Sequence, residues 1–288
     1  GVQRRRRARA HVARRDAGRC GGGLRGRQGV GAQGNEERGQ DYNSSFSPTS
    51  ASADAQAVSR SAARFFAVIP AAGTGTRLGA ARPKQYLALG GRPMLRWSVD
   101  ALLAAAWIER VVVVVAPDDR RAAALLAGLA RVEVLGAGGA ARRDSVLAGL
   151  RALAGSGAHR DDWVLVHDAA RPALTLPLLE RLRGRLAEST VGGLLALPVS
   201  DTVKRAGGDG RSVAATVERE RLWLAQTPQM FRLGLLLDAL AAHPLVTDEA
   251  AAVECAGHAP LLVEGARANF KVTTAEDLEL MRVLLEGR

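Results

Sequence analysis

The chain of 288 residues has little cysteine, little aromatic content and almost no lysine. Its two cysteines, Cys20 and Cys255, are too few for a disulfide framework, and no Cys/His group has zinc-ligand spacing. That usage fits a reducing compartment. No apolar run reaches the roughly 18–20 residues of a membrane helix. The densest stretch, 101–116, is interrupted by Glu109 and Arg110, which excludes an integral helical membrane protein. Phe, Trp and Tyr together make up 4% of the chain, and none stands among the arginines of residues 4–38. A surface that stacks single-stranded nucleic acid alternates cations with rings, so a nucleic-acid partner is not expected.

The net charge of +11 is concentrated at one end. Residues 1–60 hold 12 arginines against 5 acidic residues, a net of +7, and leave only +4 for the rest. This leader is Arg-rich, then Gly-rich, then Ser-rich; it lacks apolar periodicity and a signal-peptide core, so disorder is expected. The chain begins with Gly and its first methionine is Met94, so a fragment or an upstream-extended start is expected. The Ala/Arg/Gly bias suggests a GC-rich bacterial genome. A cytoplasmic protein is expected, and a plastid transit peptide is the lesser reading of the leader. Only three of the 40 basic residues are lysines, Lys84, Lys204 and Lys271. Ammonium and guanidinium are not interchangeable, so each lysine marks a place where a compact cation is wanted.

From Arg64 onward the pattern is α/β. Strands are expected at 65–69, 111–115, 132–135, 163–166, 193–197 and 260–264. Helices are expected at 94–105, 118–127, 143–153, 176–188, 233–242, 248–256 and 275–286. Such alternation builds a mostly parallel sheet covered on both faces. Val111–Val115, five β-branched residues in a row, suits a central strand. Residues 199–222 alternate around Gly207-Gly208-Asp209-Gly210 and read as a projecting β-hairpin arm. The organisation is a disordered basic leader, 1–60, and one Rossmann-like domain, 61–288.

The strand at 65–69 runs into Gly73-Thr74-Gly75-Thr76-Arg77-Leu78-Gly79, with Lys84 beyond. Glycines let backbone N–H groups close around anionic oxygens, and a cation inside the loop neutralises them. The spacing is not GxxxxGK[ST], since no lysine follows a glycine, and not GxGxxG, because position 78 is leucine. The loop Pro70-Ala71-Ala72-Gly73-x-Gly75-x-Arg77 with Pro83-Lys84-Gln85-Tyr86 resembles the 2-C-methyl-D-erythritol 4-phosphate cytidylyltransferases of the non-mevalonate isoprenoid pathway. Four further segments resemble that family in its own order: 138–146 (GGAARRDSV), 166–172 (VHDAARP), Thr227-Pro228-Gln229 and 269–273 (NFKVT). The resemblance spans 64–288; the leader has no counterpart.

The resemblance implies a GT-A-like nucleotidyltransferase that joins CTP to a sugar-alcohol monophosphate and releases pyrophosphate. It implies Arg77 and Lys84 as catalytic stabilisers of the transition state. Ala71, Ala72, Gly73, Gly75, Gly139, Ser145 and Asp168 would bind the nucleotide, with Asp168 also holding Mg²⁺. Thr202, Arg219 and Lys271 would position the methylerythritol phosphate. The arm swaps across a twofold homodimer in the family, so Arg219 would serve the neighbouring subunit. The family often has Asp where this chain has Ala140, which a backbone contact survives and a side-chain contact does not. Read without the resemblance, Arg171 is either an anchor for Asp168 or a phosphate contact. His167 is structural, and Thr247 caps the helix that Asp248 and Glu249 open, with a supporting metal role for those two acids ranked second. Two other functions are open to the same residues: a cytidylyltransferase for ribitol phosphate or another sugar phosphate, and a basic-armed nucleic-acid-binding protein.

Overall fold

Phe65–Pro70 forms β1, whose side chains alternate between two buried layers, Ala67 and Ile69 on one face and Phe66 and Val68 on the other. A computed structural model describes residues 63–73 and 83–286; the leader and the loop positions Gly75 and Arg77 lie outside the described residues. A short hairpin, β2 (Ala88–Leu89) and β3 (Arg92–Pro93), leads into α1 (Met94–Leu103). The chain continues through β4 (Ile108–Val114), α2 (Arg121–Leu125), β5 (Val132–Leu135), α3 (Arg142–Gly155) and β6 (Trp163–Val166). Then follow α4 (Leu176–Leu186), β7 (Gly192–Pro198), the arm strands β8 (Val203–Ala206) and β9 (Val213–Val217), and β10 (Trp223–Arg232). The last elements are α5 (Leu233–Ala242), α6 (Glu249–Cys255), β11 (Leu261–Glu264) and α7 (Ala275–Glu286).

Seven strands form one sheet in the order β11-β7-β10-β6-β1-β4-β5, parallel except for β10. The valines of β4 are buried on both faces, as a run without polar alternation requires. α1 and α4 cover one face, and α3, α5 and α6 the other. Gly149 lets α3 lie close on the sheet: a Cβ there would stand 2.7 Å from a Val68 methyl and 3.0 Å from a Val114 methyl. A third cluster seats α7, through Leu278, Met281 and Leu285, against Leu89, Met94 and Val272. The chain leaves β1 for β4 and β5 on one side and returns to β6 on the other. A crevice therefore opens beyond the carboxyl ends of β1 and β6, where parallel sheets bind ligands.

Most expected elements are present; besides the unexpected short β2–β3 hairpin there are three differences. The helix expected at 118–127 is only Arg121–Leu125, since its chain on either side turns early. The ten-residue strand β10 was not expected, because Pro228 lacks the N–H that a central strand donates. The sheet accommodates it through a register irregularity between Ala225 and Gln229 in the pairing with β7. At α6 the cap is Asp248 rather than Thr247: its carboxylate accepts the Ala251 N–H at 3.0 Å. The arm is a hairpin pairing Val203 with Val217 and Lys204 with Thr216, largely exposed in the single chain.

Candidate active site

The end of β1 is fixed before the glycine loop begins. Ala71 donates its N–H to Val114 O at 2.7 Å, and the buried Gln85 amide donates to Ala71 O at 2.8 Å. A second glycine segment lies against it. Gly138 donates to Val115 O at 2.8 Å, and a Cβ at this position would collide with Ala72 Cβ and the Val115 carbonyl. Only glycine permits that approach. The Gly139 N–H donates to Ser145 Oγ at 3.3 Å, which joins this segment to the first turn of α3. The amino end of a helix carries unpaired N–H groups and a partial positive charge, a setting for anionic oxygens. Together these backbones wall a cavity of about 480 Å³, whose lining includes Ala71–Gly73, Gly139–Arg142, Ser145, Lys84, Asp168 and Lys271.

Asp168 follows β6 and is buried, yet carries a charge with a partner on each oxygen. Arg142 Nε donates to Oδ1 at 2.8 Å and Lys271 Nζ to Oδ2 at 2.7 Å. Burial pushes its carboxyl up, but the two cations outweigh that and hold it well below the usual carboxylate range. The remaining arm of Arg142 forks onto Glu249, Nη1 to Oε1 at 2.6 Å and Nη2 to Oε2 at 3.0 Å. Glu249 is fully buried, and burial raises its pKa against the pull of Arg142. Burial also works against the Arg142 cation, but the two carboxylates overcome it and keep the guanidinium protonated.

His167 sits beside Asp168 with no exposure. Its Nε2–H donates to Arg171 O at 3.1 Å, Thr227 Oγ1 donates to its Nδ1 at 3.1 Å, and the Asp168 N–H donates to Thr227 Oγ1 at 3.0 Å. Burial lowers its pKa to about 4, so the ring is neutral and serves as a hydrogen-bonding strut. Arg171 donates to the carbonyls of Asn269 at 2.8 Å and Ala225 at 3.3 Å. A second cavity of about 600 Å³, lined by Arg171, Pro198–Ser200 and Arg267, shares Lys271 with the first.

A family model described as IspD, 2-C-methyl-D-erythritol 4-phosphate cytidylyltransferase, matches residues 65–287. The chain belongs to this family. A protein of that name from Ralstonia nicotianae is 55% identical over 240 residues, covering 80% of this chain and 94% of the relative. One from Bordetella petrii is 57% identical over 220 residues, covering 75% of this chain and 96% of the relative. A crystal structure of a 4-diphosphocytidyl-2C-methyl-D-erythritol synthase is 40% identical with a TM-score of 0.70, covering 77% of this chain and 98% of the other. The Francisella tularensis cytidylyltransferase is 33% identical with a TM-score of 0.67, over 77% of this chain and all of the other.

The cavity gathers eight of the residues that the family resemblance singled out: Ala71, Ala72, Gly73, Lys84, Gly139, Ser145, Asp168 and Lys271. Lys84 Nζ reaches it while donating to Val272 O at 3.2 Å, which ties the short 3-10 turn Lys84–Tyr86 to the segment before α7. Thr202 and Arg219 do not line this cavity; both are exposed on the arm. Arg77 and Gly75 lie outside the described residues. The anchor of Asp168 is Arg142, while Arg171 braces the Ala225 and Asn269 backbones. Arg142 stood inside the 138–146 segment without an assigned role. Glu249 was read as a helix-end charge, and nothing in a linear pattern pairs it with a residue 107 positions away.

Proposed function

We propose that this chain transfers the cytidylyl group of CTP to 2-C-methyl-D-erythritol 4-phosphate, giving 4-diphosphocytidyl-2-C-methyl-D-erythritol and pyrophosphate. The observation that carries the reading is the convergence of two glycine segments, a helix amino end, Lys84 and the Asp168–Lys271 pair on one cavity. An oxygen of the acceptor phosphate attacks the α-phosphorus, the bond to the bridging oxygen breaks, and pyrophosphate leaves. The attacking phosphate is already ionised near neutral pH, so the reaction needs no covalent nucleophile and no general base. Catalysis is positioning plus electrostatic stabilisation of the equatorial and leaving oxygens.

Lys84 neutralises charge at the α-phosphate, and Arg77 takes the same role by family resemblance. Ala71, Ala72, Gly73, Gly75, Gly139 and Ser145 hold the nucleotide, the last two at the cytosine side. The donor set fits Mg²⁺: Asp168 is the carboxylate lining the cavity, and each of its oxygens keeps a lone pair beyond its one cationic partner. Magnesium beside a nucleotide takes one or two carboxylates and completes its shell with water and phosphate oxygens. Asp168 would hold the ion, which when bound screens the triphosphate. Lys271, shared by the two cavities, orients the acceptor phosphate, and the second cavity receives the acceptor.

Thr202 and Arg219 complete the acceptor site from the arm of a second copy in a homodimer. Residues 61–288 form the catalytic domain, working in the bacterial cytoplasm; no described helix is long and apolar enough to cross a membrane. The test is CTP radiolabelled at its α-phosphate, incubated with Mg²⁺ and the methylerythritol phosphate. Label transferred to a cytidyl diphosphate ester, with unlabelled pyrophosphate released, supports the reading. Label appearing in CMP alone overturns it.

A further inference from the structure

Glu249 is fully buried at the start of α6, and both its oxygens are spent on one guanidinium. A buried ion pair is a costly way to join two helices, because an apolar pair of similar volume is often as stable or more so. α6 does not need it. Asp248 caps the helix, Gln229 donates to Asp248 at 2.8 Å and accepts from the Ala250 N–H at 2.7 Å, and Ala250, Ala252 and Val253 sit in the core. What a neutral pair cannot supply is a fixed cation facing the cavity. The fork onto Glu249 sets the plane of the Arg142 guanidinium, and that plane aims Nε–H at Asp168 Oδ1.

The charges alternate from the core outward: Glu249, Arg142, Asp168, Lys271. The four together are neutral. Without Glu249 the remaining three carry a net positive charge, and Asp168 faces two cations that have no other claim on them.

We infer that Glu249 is a positioning residue for nucleotidyl transfer, holding Arg142 so that the Asp168 carboxylate keeps its orientation and its share of negative charge. The inference rests on the proposed cytidylyl transfer. Glu249→Gln keeps the shape but can accept from only one arm of the fork. The expected result in the full chain is a fall in kcat of about 10- to 100-fold, the usual range for groups that orient a ligand-binding side chain. KM for both substrates, and the CTP dissociation constant measured by calorimetry without acceptor, stay within about threefold. Residues that act through one another are non-additive, so Glu249→Gln costs less than about twofold in an Asp168→Asn background.

A purely structural role predicts the opposite: a lowered unfolding temperature with either an unchanged kcat or a kcat loss that multiplies with that of Asp168→Asn in the double variant. Either kcat result overturns the inference. If Glu249→Gln does not fold, Glu249→Leu with Arg142→Met removes both buried charges together. That pair folds and shows at least a tenfold loss in kcat; a wild-type kcat from it refutes the role. A wild-type chain without turnover overturns the functional reading and this inference with it. Wild-type turnover beside an unaltered Glu249→Gln overturns this inference alone.

Discussion

Replacing Asp168 by Asn probes the centre of the site, because the carboxylate is the hub on which Arg142 and Lys271 converge. A carboxylate offers an acceptor to each of them, at 2.8 and 2.7 Å. An amide offers one acceptor and one NH₂, so in either orientation one cation faces a donor. One charge-assisted hydrogen bond, about 1.5–3 kcal/mol, is lost, and the other weakens by roughly 1 kcal/mol. The sum is about 2–4 kcal/mol. For a domain of this size that is a fall in unfolding temperature of roughly 4–16 °C.

The pH dependence follows from the direction of the Asp168 shift. Its folded pKa is depressed, so the stabilisation is fully present above the unfolded value near 4 and is lost as pH falls through the folded value. The gap between wild type and Asp168→Asn, read by calorimetry, is therefore full at pH 7 and closes on acidification below about pH 4. Turnover at pH 7 falls by at least about 100-fold, as expected when a charged group is removed from a preorganised site. A variant that unfolds within about 2 °C of wild type and retains a third of its kcat would refute the reasoning.

Lys84→Ala lowers kcat by about 10³-fold, roughly 4 kcal/mol of transition-state stabilisation; a loss under about threefold in steady-state pyrophosphate release removes Lys84 from the catalytic set. Arg219→Ala raises KM for the acceptor phosphate and leaves CTP binding by calorimetry nearly unchanged; a collapse of CTP binding means the residue is misassigned. Gly138→Ala forces a methyl against Ala72 and within 2.8 Å of the Val115 carbonyl. It costs about 1–3 kcal/mol of stability and weakens CTP binding, and an unchanged CTP affinity contradicts the close approach of the two loops. His167→Leu leaves the Arg171 carbonyl and Thr227 hydroxyl without their partner and costs about 2–5 kcal/mol of stability; its kcat, measured below the unfolding transition, falls less than that of Lys84→Ala.

The parts of this protein legible in the sequence are those whose cause is local. Val111–Val115 announces a central strand because nothing in it is polar, and the alternation from 199 to 222 announces the arm. The close approach of Gly138 to Ala72 and Val115 shows only in the fold, since the sequence offers that glycine through family resemblance alone. β10 was hidden because Pro228 breaks the rule for an interior strand, and the sheet absorbs it through a register irregularity that no single strand reveals. At the site, Lys84, Asp168 and Lys271 stood out by residue type and motif. Arg142 and Glu249 did not, because their role depends on α3 and α6 meeting beside β6. The role of the Thr227 hydroxyl is hidden for the same reason: its partners, His167 and the Asp168 N–H, lie just past β6, beside which β10 pairs only in the folded sheet.

Substrate pairing at the Asp168 cavity decides the function. The deciding measurement is pyrophosphate release by the full chain with Mg²⁺ and four pairs, CTP or ATP with methylerythritol phosphate or ribitol phosphate. Turnover with CTP and methylerythritol phosphate, and at most a few per cent of that rate with the other three, is the predicted result. Equal or faster turnover with ribitol phosphate, or none with any pair from a folded chain, contradicts it.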